Sequence, residues 1–132
     1  MKAIAISLLT AWTLHAGQTV ADFQWKKRLL VVTRADEALG KQLADAPGRL
    51  CERDVEVFVL NGPVGPGKRP TDELATSLRE LLKLDPAEVD QVILLGKDSR
   101  TTVRWKRTEF SPNALFRTID AMPMRRRDMG RN

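Results

Sequence analysis

QVILLGKDSRTTVRW, residues 91–105, predicts two antiparallel strands joined by a tight turn. Val92 to Leu95 are all apolar, which is typical of a strand buried on both faces of a sheet. Gly96 to Ser99 leave only four residues for the turn into a second strand over Thr101–Trp105. Because parallel neighbours need a crossover of about a dozen residues or more, these two strands must run antiparallel.

Two further strands and two helices are predicted before this hairpin. Trp25–Thr33 contains the buried run LLVV, and Asp54–Leu60 has a valine at every second position from Val55 to Val59. The segment Asp36–Asp45 has leucines four residues apart after two acidic residues, and it predicts a helix that extends, after a break at Pro47-Gly48, towards Glu52. A second helix is predicted after the N-cap candidate Thr71.

A closing helix is predicted to start at Ser111-Pro112 and to end before Pro123, where the chain turns away. The order β-α-β-α-β-β-α indicates two parallel crossover units followed by a hairpin and a helix. This is the layout of the thioredoxin-like fold, an α/β class with a four-stranded mixed sheet. A small doubly wound parallel sheet is the alternative, and the four-residue turn disfavours it.

Residues 1–21 have the pattern of a secretory signal peptide. Lys2 precedes the uncharged apolar stretch Ala3–Leu14, and Thr19-Val20-Ala21 offers small residues for cleavage after Ala21. A cut after Ala16 is the alternative. Residues 22–132 then form one domain with a basic C-terminal segment, and we expect it in the periplasm or secreted. The remaining chain has no apolar run long enough for a transmembrane segment.

The composition excludes several catalytic chemistries from the predicted mature domain. The only histidine, His15, lies in the leader, the chain has no tyrosine, and Cys51 is its only cysteine. Serine–histidine hydrolysis and zinc sites of the usual histidine and cysteine type are therefore ruled out. We assign no catalytic residue, no cofactor and no metal ligand, and an enzyme is not the expected class. Cys51 follows Leu50 in an apolar patch, so it is expected to be buried.

Two motifs suggest an activity but lack the groups that it needs. Disulfide exchange uses a low-pKa thiolate after the first strand, and Thr33–Asp36 contains no sulfur. Cys51 lies at the far end of the helical region, where the helix dipole disfavours a thiolate. Residues 62–69 have the G-x-x-x-x-G-K spacing of a phosphate-binding loop, but Pro63 and Pro66 have no N–H to offer a phosphate.

Two alternative functions remain open. One is a thiol-dependent or other enzyme of unknown reaction that uses Cys51. The other is a copper-handling protein, because soft thioether ligands select Cu(I) and Met122, Met124 and Met129 lie close together in sequence. Methionines at a helix end also fill core gaps, which is their more common role.

The chain carries a formal charge of +5, and residues 104–132 hold eight basic residues against three acidic ones. This excess indicates either a solvated segment or a docking surface, for which we select Lys97, Asp98, Asp120, Arg125, Arg126 and Arg127. Guanidinium groups outside the cytoplasm suit carboxylates or phosphates of an envelope protein, an extracellular protein or an anionic lipid surface. Nucleic acid is not an expected partner, and the oligomeric state stays open. Alternatively, Asp120 pairs with Arg125 and only fixes the C-terminal segment.

Ile119–Arg126, with the sequence IDAMPMRR, resembles the DUDES-type domain, a domain of unknown function in secreted bacterial proteins. That family is similar to modules in equarin and the sushi-repeat proteins. The segments WKKRL at 25–29, ERD at 52–54, LLGKD at 94–98 and LF at 115–116 agree with it. The resemblance implies a thioredoxin-like fold without redox cysteines and carries over no catalytic residue. Ser99 stands where the family commonly has glycine, which leaves the type of the hairpin turn open.

Overall fold

The structure is a computed structural model that describes residues 19–85 and 90–130. Most of the predicted leader, including His15 and the alternative cleavage site at Ala16, lies outside the described residues. None of the helices within the described residues is long and apolar enough to cross a membrane.

The described chain alternates short strands and helices after an initial 3-10 turn at Val20–Phe23. Its strands are β1 (Arg28–Val32), β2 (Val55–Val59), β3 (Gln91–Leu95) and β4 (Thr102–Lys106). Its helices are α1 (Glu37–Ala44), α2 (Pro47–Glu52), α3 (Asp72–Leu82), α4 (Pro112–Asp120) and α5 (Pro123–Gly130).

The four strands form one mixed sheet in the order β2-β1-β3-β4. β1 and β2 are parallel, whereas β3 is antiparallel to β1 and β4 is antiparallel to β3. The α/β class and the four-stranded mixed sheet of a thioredoxin-like fold are thus confirmed. The hairpin predicted from residues 91–105 lies at one edge of this sheet.

The predicted second parallel crossover is wrong, because the link from β2 to β3 reverses the strand direction. Thr33, just after β1, donates from its backbone N–H to the carbonyl of Gln91 at 3.0 Å. The backbone N–H of Gln91 in turn donates to the Thr33 hydroxyl at 3.0 Å. These bonds fix the start of β3 beside the end of β1. Helical periodicity in the link identifies a helix but contains no information about strand direction.

The sheet is covered on both faces, which explains the continuous apolar runs in β1 and β3. On one face, alternate strand residues such as Leu30 and Leu94 pack with α1, α2 and α4. On the other face, Leu29, Val31 and Ile93 pack with α3 and with Val20 of the 3-10 turn. The result is a three-layer arrangement with the sheet in the middle.

Helix starts follow the capping residues seen in the sequence. The side chains of Asp36, Thr71 and Ser111 each accept a hydrogen bond from a backbone N–H three residues ahead. Pro47 is the first residue of α2, so it starts a helix as well as ending the previous one. Pro123 is likewise the first residue of α5. The expectation that the chain only turns away at Pro123 therefore missed a helix.

The glycine at position 62 is required by both backbone angle and space. Its φ is +90°, and a Cβ there would lie 2.4 Å from the carbonyl oxygen of Ala35. We expect Gly62→Ala to lower the free energy of unfolding by about 1–3 kcal/mol in urea denaturation. Gly40→Ala is the matched control, because a Cβ in the middle of α1 meets nothing within 4 Å. This control should raise stability by about 0.5–1 kcal/mol, and equal effects of the two variants would contradict the assignment.

Candidate functional site

The residues selected as a docking surface come together at the end of the sheet where β1 begins. Here we call this region the basic end, defined by residues 25–28, 53–54, 97–101 and 120–127. The β3–β4 turn contributes Lys97 and Asp98, and the junction of α4 and α5 contributes Asp120 and Arg125. The backbone N–H of Trp25 donates to the carbonyl of Lys97 at 2.7 Å, which joins the approach to β1 to this turn.

A bidentate ion pair between Arg53 and Asp120 lies at the centre of the basic end. The Nε and Nη2 atoms of Arg53 each lie 3.0 Å from one carboxylate oxygen of Asp120. Nη1 of Arg53 also donates to the carbonyl of Arg49 at 3.0 Å. The hydrogen bond from Arg53 holds the pKa of Asp120 below its usual value despite partial burial, and Arg125 adds to this effect. The pair joins the end of α2 to the end of α4.

Arg125 belongs to the same network and is held in place by it. Its Nε lies 3.4 Å from Asp120 Oδ1, and its Nη1 donates to the carbonyl of Glu52 at 3.2 Å. Arg126 and Arg127, in contrast, are exposed. The Asp120–Arg125 contact is the one expected if Asp120 fixes the C-terminal segment. The main partner of Asp120 is nevertheless Arg53, which is not among the residues predicted from the sequence.

The guanidinium groups of Arg49 and Arg53 both lie over the ring of Phe116. The guanidinium carbon of Arg49 lies 4.2 Å from the ring centroid, and that of Arg53 lies 4.7 Å from it. Both distances are within the range of cation–π attraction. The ring therefore gives the buried Arg53 an apolar surface to stack on as well as an ionic partner.

Two buried cations lie next to this network. Arg28 is 1% exposed and donates from Nη1 to the carbonyl of Arg53 at 2.7 Å. Lys97 is 9% exposed, and its ammonium donates to Asp54 Oδ2 at 2.7 Å. Asp54 has a φ of +55°, and its carbonyl accepts the backbone N–H of Arg28 at 2.8 Å. The sequence predicts Lys97 as part of a docking surface, whereas in the structure its side chain is buried and paired with Asp54.

Asp98 builds the β3–β4 turn. Its Oδ1 accepts the backbone N–H groups of Arg100 and Thr101 at 3.0 and 2.9 Å, and its Oδ2 accepts the Thr101 hydroxyl at 2.8 Å. The hydrogen bond from the Thr101 backbone is the largest cause that lowers the pKa of Asp98. Ser99 takes the left-handed conformation, with a φ of +59°, a region that glycine adopts more readily than other residues.

A pocket of about 270 Å³ opens at the basic end between the β3–β4 turn and the start of α5. Its walls combine the two buried cations with methionine side chains, and they consist of Arg28, Gly96, Lys97, Asp98, Thr101, Met122, Pro123 and Met124. The sequence predicts Lys97 and Asp98 as surface residues but does not predict a cavity, because the wall comes from segments far apart in the chain.

The structure bears on two predictions about sulfur-containing residues, the burial of Cys51 and the grouping of three methionines. Cys51 is exposed, not buried. Leu50 points into the core, and the next residue of a helix is rotated by about 100° away from it. Of the three methionines, Met122 and Met124 line the pocket, whereas Met129 is 41% exposed and is not part of that wall.

The phosphate-loop pattern at residues 62–69 has a structural role. Lys68 forms a bridge alongside Phe58 of β2, and its ammonium pairs with Glu56 at 2.8 Å. The guanidinium of Arg69 donates to the carbonyls of Val59 and Gly62 at 3.1 and 2.7 Å. The cations of this segment thus hold the loop against β2.

At the opposite end of the sheet, Asp36 occupies the position after β1 where a redox thiol would be needed. It caps α1 and forms an ion pair with Arg107, which also lies 3.4 Å from Asp90. Across residues 19–85 and 90–130, no group of three His, Cys, Asp or Glu side chains is arranged to hold a metal ion.

The profile of the Domain of unknown function (DUF4174) family matches residues 19–128, and the chain belongs to that family. No curated protein matches the chain. Among solved structures, the reduced 2-Cys peroxiredoxin of Plasmodium vivax is similar, with a TM-score of 0.52 and 16% sequence identity. The match covers 81% of this chain and 71% of the peroxiredoxin chain. At this identity the likeness shows a shared thioredoxin-like fold alone.

The Arg53–Asp120 pair leads to a prediction for stability and its pH dependence. We expect Asp120→Asn to lower the free energy of unfolding at neutral pH by about 1–3 kcal/mol. The loss is smaller than for a fully buried pair because the Asp120 side chain is 34% exposed. Since folding lowers the pKa of Asp120, the ionised group stabilises the fold above about pH 4 and loses this effect as the pH falls further.

Urea unfolding of both proteins at neutral and acid pH measures this difference, which should shrink below about pH 4. Glu56→Gln is the control, because its partner Lys68 has a side chain that is 68% exposed. That variant should cost less than about 1 kcal/mol. A loss in Asp120→Asn no larger than in the control would show that the pair does not stabilise the fold.

Proposed function

We propose that this domain is a non-catalytic thioredoxin-like module that docks on an anionic envelope component through its basic end. The observation that supports this proposal is that acidic side chains of the basic end are bonded within the domain, whereas two of its arginines are exposed. Asp54, Asp98 and Asp120 are bound to groups of the domain itself, while Arg126 and Arg127 are exposed. An approaching anion therefore meets the exposed guanidinium groups of Arg126 and Arg127, whereas these three acids are held within the domain.

Trp25 supports a lipid surface as the first candidate partner. It is 61% exposed, with a φ of +66°, and the exposed Lys26 follows it. Arg100 is exposed in the neighbouring β3–β4 turn. Tryptophan beside lysine and arginine suits a membrane interface, where the ring sits among headgroups and the cations meet anionic lipids. An acidic envelope or extracellular protein would use the same charges and is the second candidate.

The thiol-dependent alternative keeps one favourable observation, which is the exposure of Cys51. Cys51 is nevertheless in the last turn of the short helix α2 and outside the pocket wall. The copper alternative is weaker, because Met129 does not join Met122 and Met124 at the pocket. Neither alternative explains the charge distribution at the basic end.

Sedimentation with lipid vesicles tests the docking proposal. We expect the domain to bind vesicles of phosphatidylglycerol and phosphatidylcholine, to release them at high salt, and not to bind phosphatidylcholine alone. Arg126→Gln with Arg127→Gln should weaken binding about tenfold or more, since each cation near an anionic surface contributes about 1 kcal/mol. The melting temperature should stay the same, because both side chains are exposed.

Arg34→Gln with Lys41→Gln is the matched control, because it removes two exposed cations outside the basic end. Equal loss in both double variants would show only an effect of net charge. Retention on immobilised polyglutamate without vesicle binding would assign an acidic polypeptide instead of lipid. Cys51→Ser should bind like the unaltered protein, and loss of binding there would favour the thiol alternative.

Location in the periplasm or outside the cell is part of the same proposal. The leader pattern and the likeness of IDAMPMRR to modules of secreted proteins support it. The packing of Val20 supports the cleavage after Ala16, because Val20 is 5% exposed and its backbone N–H donates to Ser77 Oγ at 3.3 Å. Cleavage after Ala21 would remove this core residue and the first two residues of the turn at Val20–Phe23.

Mass spectrometry of the exported protein tests the cleavage. We expect Gly17 at the N-terminus, and a protein that starts at Asp22 should have a lower melting temperature than one that starts at Gly17. An exported protein that starts at Asp22 would restore the cut after Ala21. Recovery of the intact chain with Met1 from the cytosol would overturn the proposed location.

A further inference from the structure

We propose that the outer edge of β4 binds an extended peptide segment in which acidic and apolar residues alternate. The segment would add one strand to the four-stranded sheet. This surface is separate from the docking through the basic end, and the proposal does not rest on that one. Three observations support it, which are the backbone groups at this edge, the cations on one face of β4 and the apolar side chains on the other.

The two edges of the sheet differ in how their backbone groups are used. β2 lies at one edge, where Lys68 donates to the carbonyl of Val57 at 2.9 Å and accepts the N–H of Val59 at 2.8 Å. The chain thus covers this edge itself. β4 lies at the other edge, and within residues 19–85 and 90–130 no strand pairs with its outer side. A strand edge with unpaired N–H and C=O groups is a template for a further strand.

The register of the hairpin shows which groups of β4 point outward. The backbone N–H of Gly96 donates to the carbonyl of Thr101 at 2.8 Å, so residue 101 is bonded to the β3 side. Because bonded and non-bonded pairs alternate in an antiparallel ladder, residues 103 and 105 are also bonded to β3. The N–H groups that point away from β3 belong to Thr102, Arg104 and Lys106, which are all exposed. These three groups can donate to an added strand.

One face of β4 carries two positive charges, those of Arg104 and Lys106. The guanidinium of Arg104 donates to two neutral oxygens, the carbonyl of Leu82 and Oε1 of Gln91, which hold it in place without neutralising it. In the part of the chain that the structure describes, no acid forms an ion pair with Arg104 or Lys106. Side chains on one face of a sheet repeat every second residue. Acidic residues at every second position of an added strand would therefore lie beside these cations.

The opposite face of β4 is apolar. Val103 and Trp105 are partly buried against the core, and the Trp105 ring meets that of Phe110 edge to face with their centroids 5.4 Å apart. The residues between the acids of an added strand would lie beside Val103 and Trp105. Branched apolar side chains such as valine pack well at such positions. The segment that fits both faces thus alternates acidic and apolar residues.

The same cations disfavour a second copy of this chain as the added strand. In the centred antiparallel register, Arg104 of one copy would lie directly opposite Arg104 of the other. A shift by two residues would place Arg104 opposite Lys106, or in the other direction Lys106 opposite Arg100. Like charges directly opposite each other destabilise a pair of strands. The charge of this edge therefore selects an acidic segment over self-association.

The probe for the test is a short capped peptide in which glutamate and valine alternate, and fluorescence anisotropy measures its affinity. We expect bound peptide to slow hydrogen exchange at the amides of residues 102, 104 and 106 more than at 103 and 105, because only the first three point outward. A peptide with lysine in place of glutamate should bind at least about tenfold more weakly. N-methylation of the glutamates should abolish binding, and N-methylation of the valines should not, since the residues opposite Arg104 and Lys106 in an antiparallel pair donate to β4.

Two charge reversals test the position of the site. Lys106→Glu should weaken binding of the peptide about tenfold, because it places an acid beside the glutamates. Lys41→Glu is the matched control and should leave binding unchanged. Lys41 is exposed on α1 and lies by the loop at residues 63–66, which leads to the covered edge at β2. Both variants should keep the melting temperature, because both side chains are exposed.

Equal weakening in Lys106→Glu and Lys41→Glu would show only an effect of net charge and would overturn the site. Absence of binding, or unaltered binding of the peptide with N-methylated glutamates, would overturn the added strand. The protein with Arg126→Gln and Arg127→Gln should bind the peptide like the unaltered protein even where vesicle binding is lost. Loss of peptide binding there would place the peptide at the basic end and overturn the proposal for β4.

Discussion

The buried guanidinium of Arg53 is the group on which the basic end depends. It binds both oxygens of Asp120, stacks on Phe116 and donates to the α2 backbone, while its own carbonyl accepts a hydrogen bond from Arg28. A buried cation without such partners would cost several kcal/mol, and these contacts together offset that cost. Through Arg53, the start of β1 and the ends of α2 and α4 are held in one arrangement.

The same network determines which charges remain for a partner. Asp120 is occupied by Arg53 and Arg125, so the first arginine of the triplet at 125–127 is structural and the next two are exposed. A basic cluster in a sequence is therefore not a uniform surface. Each arginine is either paired or exposed, depending on which acidic side chains lie near it in the folded chain. Met124, which lines the pocket, directly precedes the paired Arg125.

Local signals predicted much of the fold. The hairpin follows from a four-residue turn between apolar runs, and three helix starts follow from Asp36, Thr71 and Ser111. The direction of β3 could not be predicted, because it depends on the contact between Thr33 and Gln91, which are 58 residues apart.

Of the candidate site, the sequence predicted residues such as Lys97, Asp98 and Asp120, but it did not predict Arg53, which lies at the centre. Arg53 and Asp120 are separated by 67 residues, and no spacing rule relates positions so far apart. The pocket was missed for the same reason, since β1, the hairpin turn and α5 each supply only part of its wall. The exposure of Cys51 was missed because an apolar neighbour in sequence does not lie on the same face of a helix.

Four non-glycine residues within 19–85 and 90–130 have a positive φ, and three of them, Trp25, Asp54 and Ser99, lie at the basic end. Such conformations cost of the order of 1 kcal/mol each or more, and the surrounding hydrogen bonds offset this cost before any partner arrives. The backbone of this surface is thus preorganised. Association then requires little additional ordering of the main chain, so the entropy lost on binding is confined mostly to side chains such as those of Arg126 and Arg127.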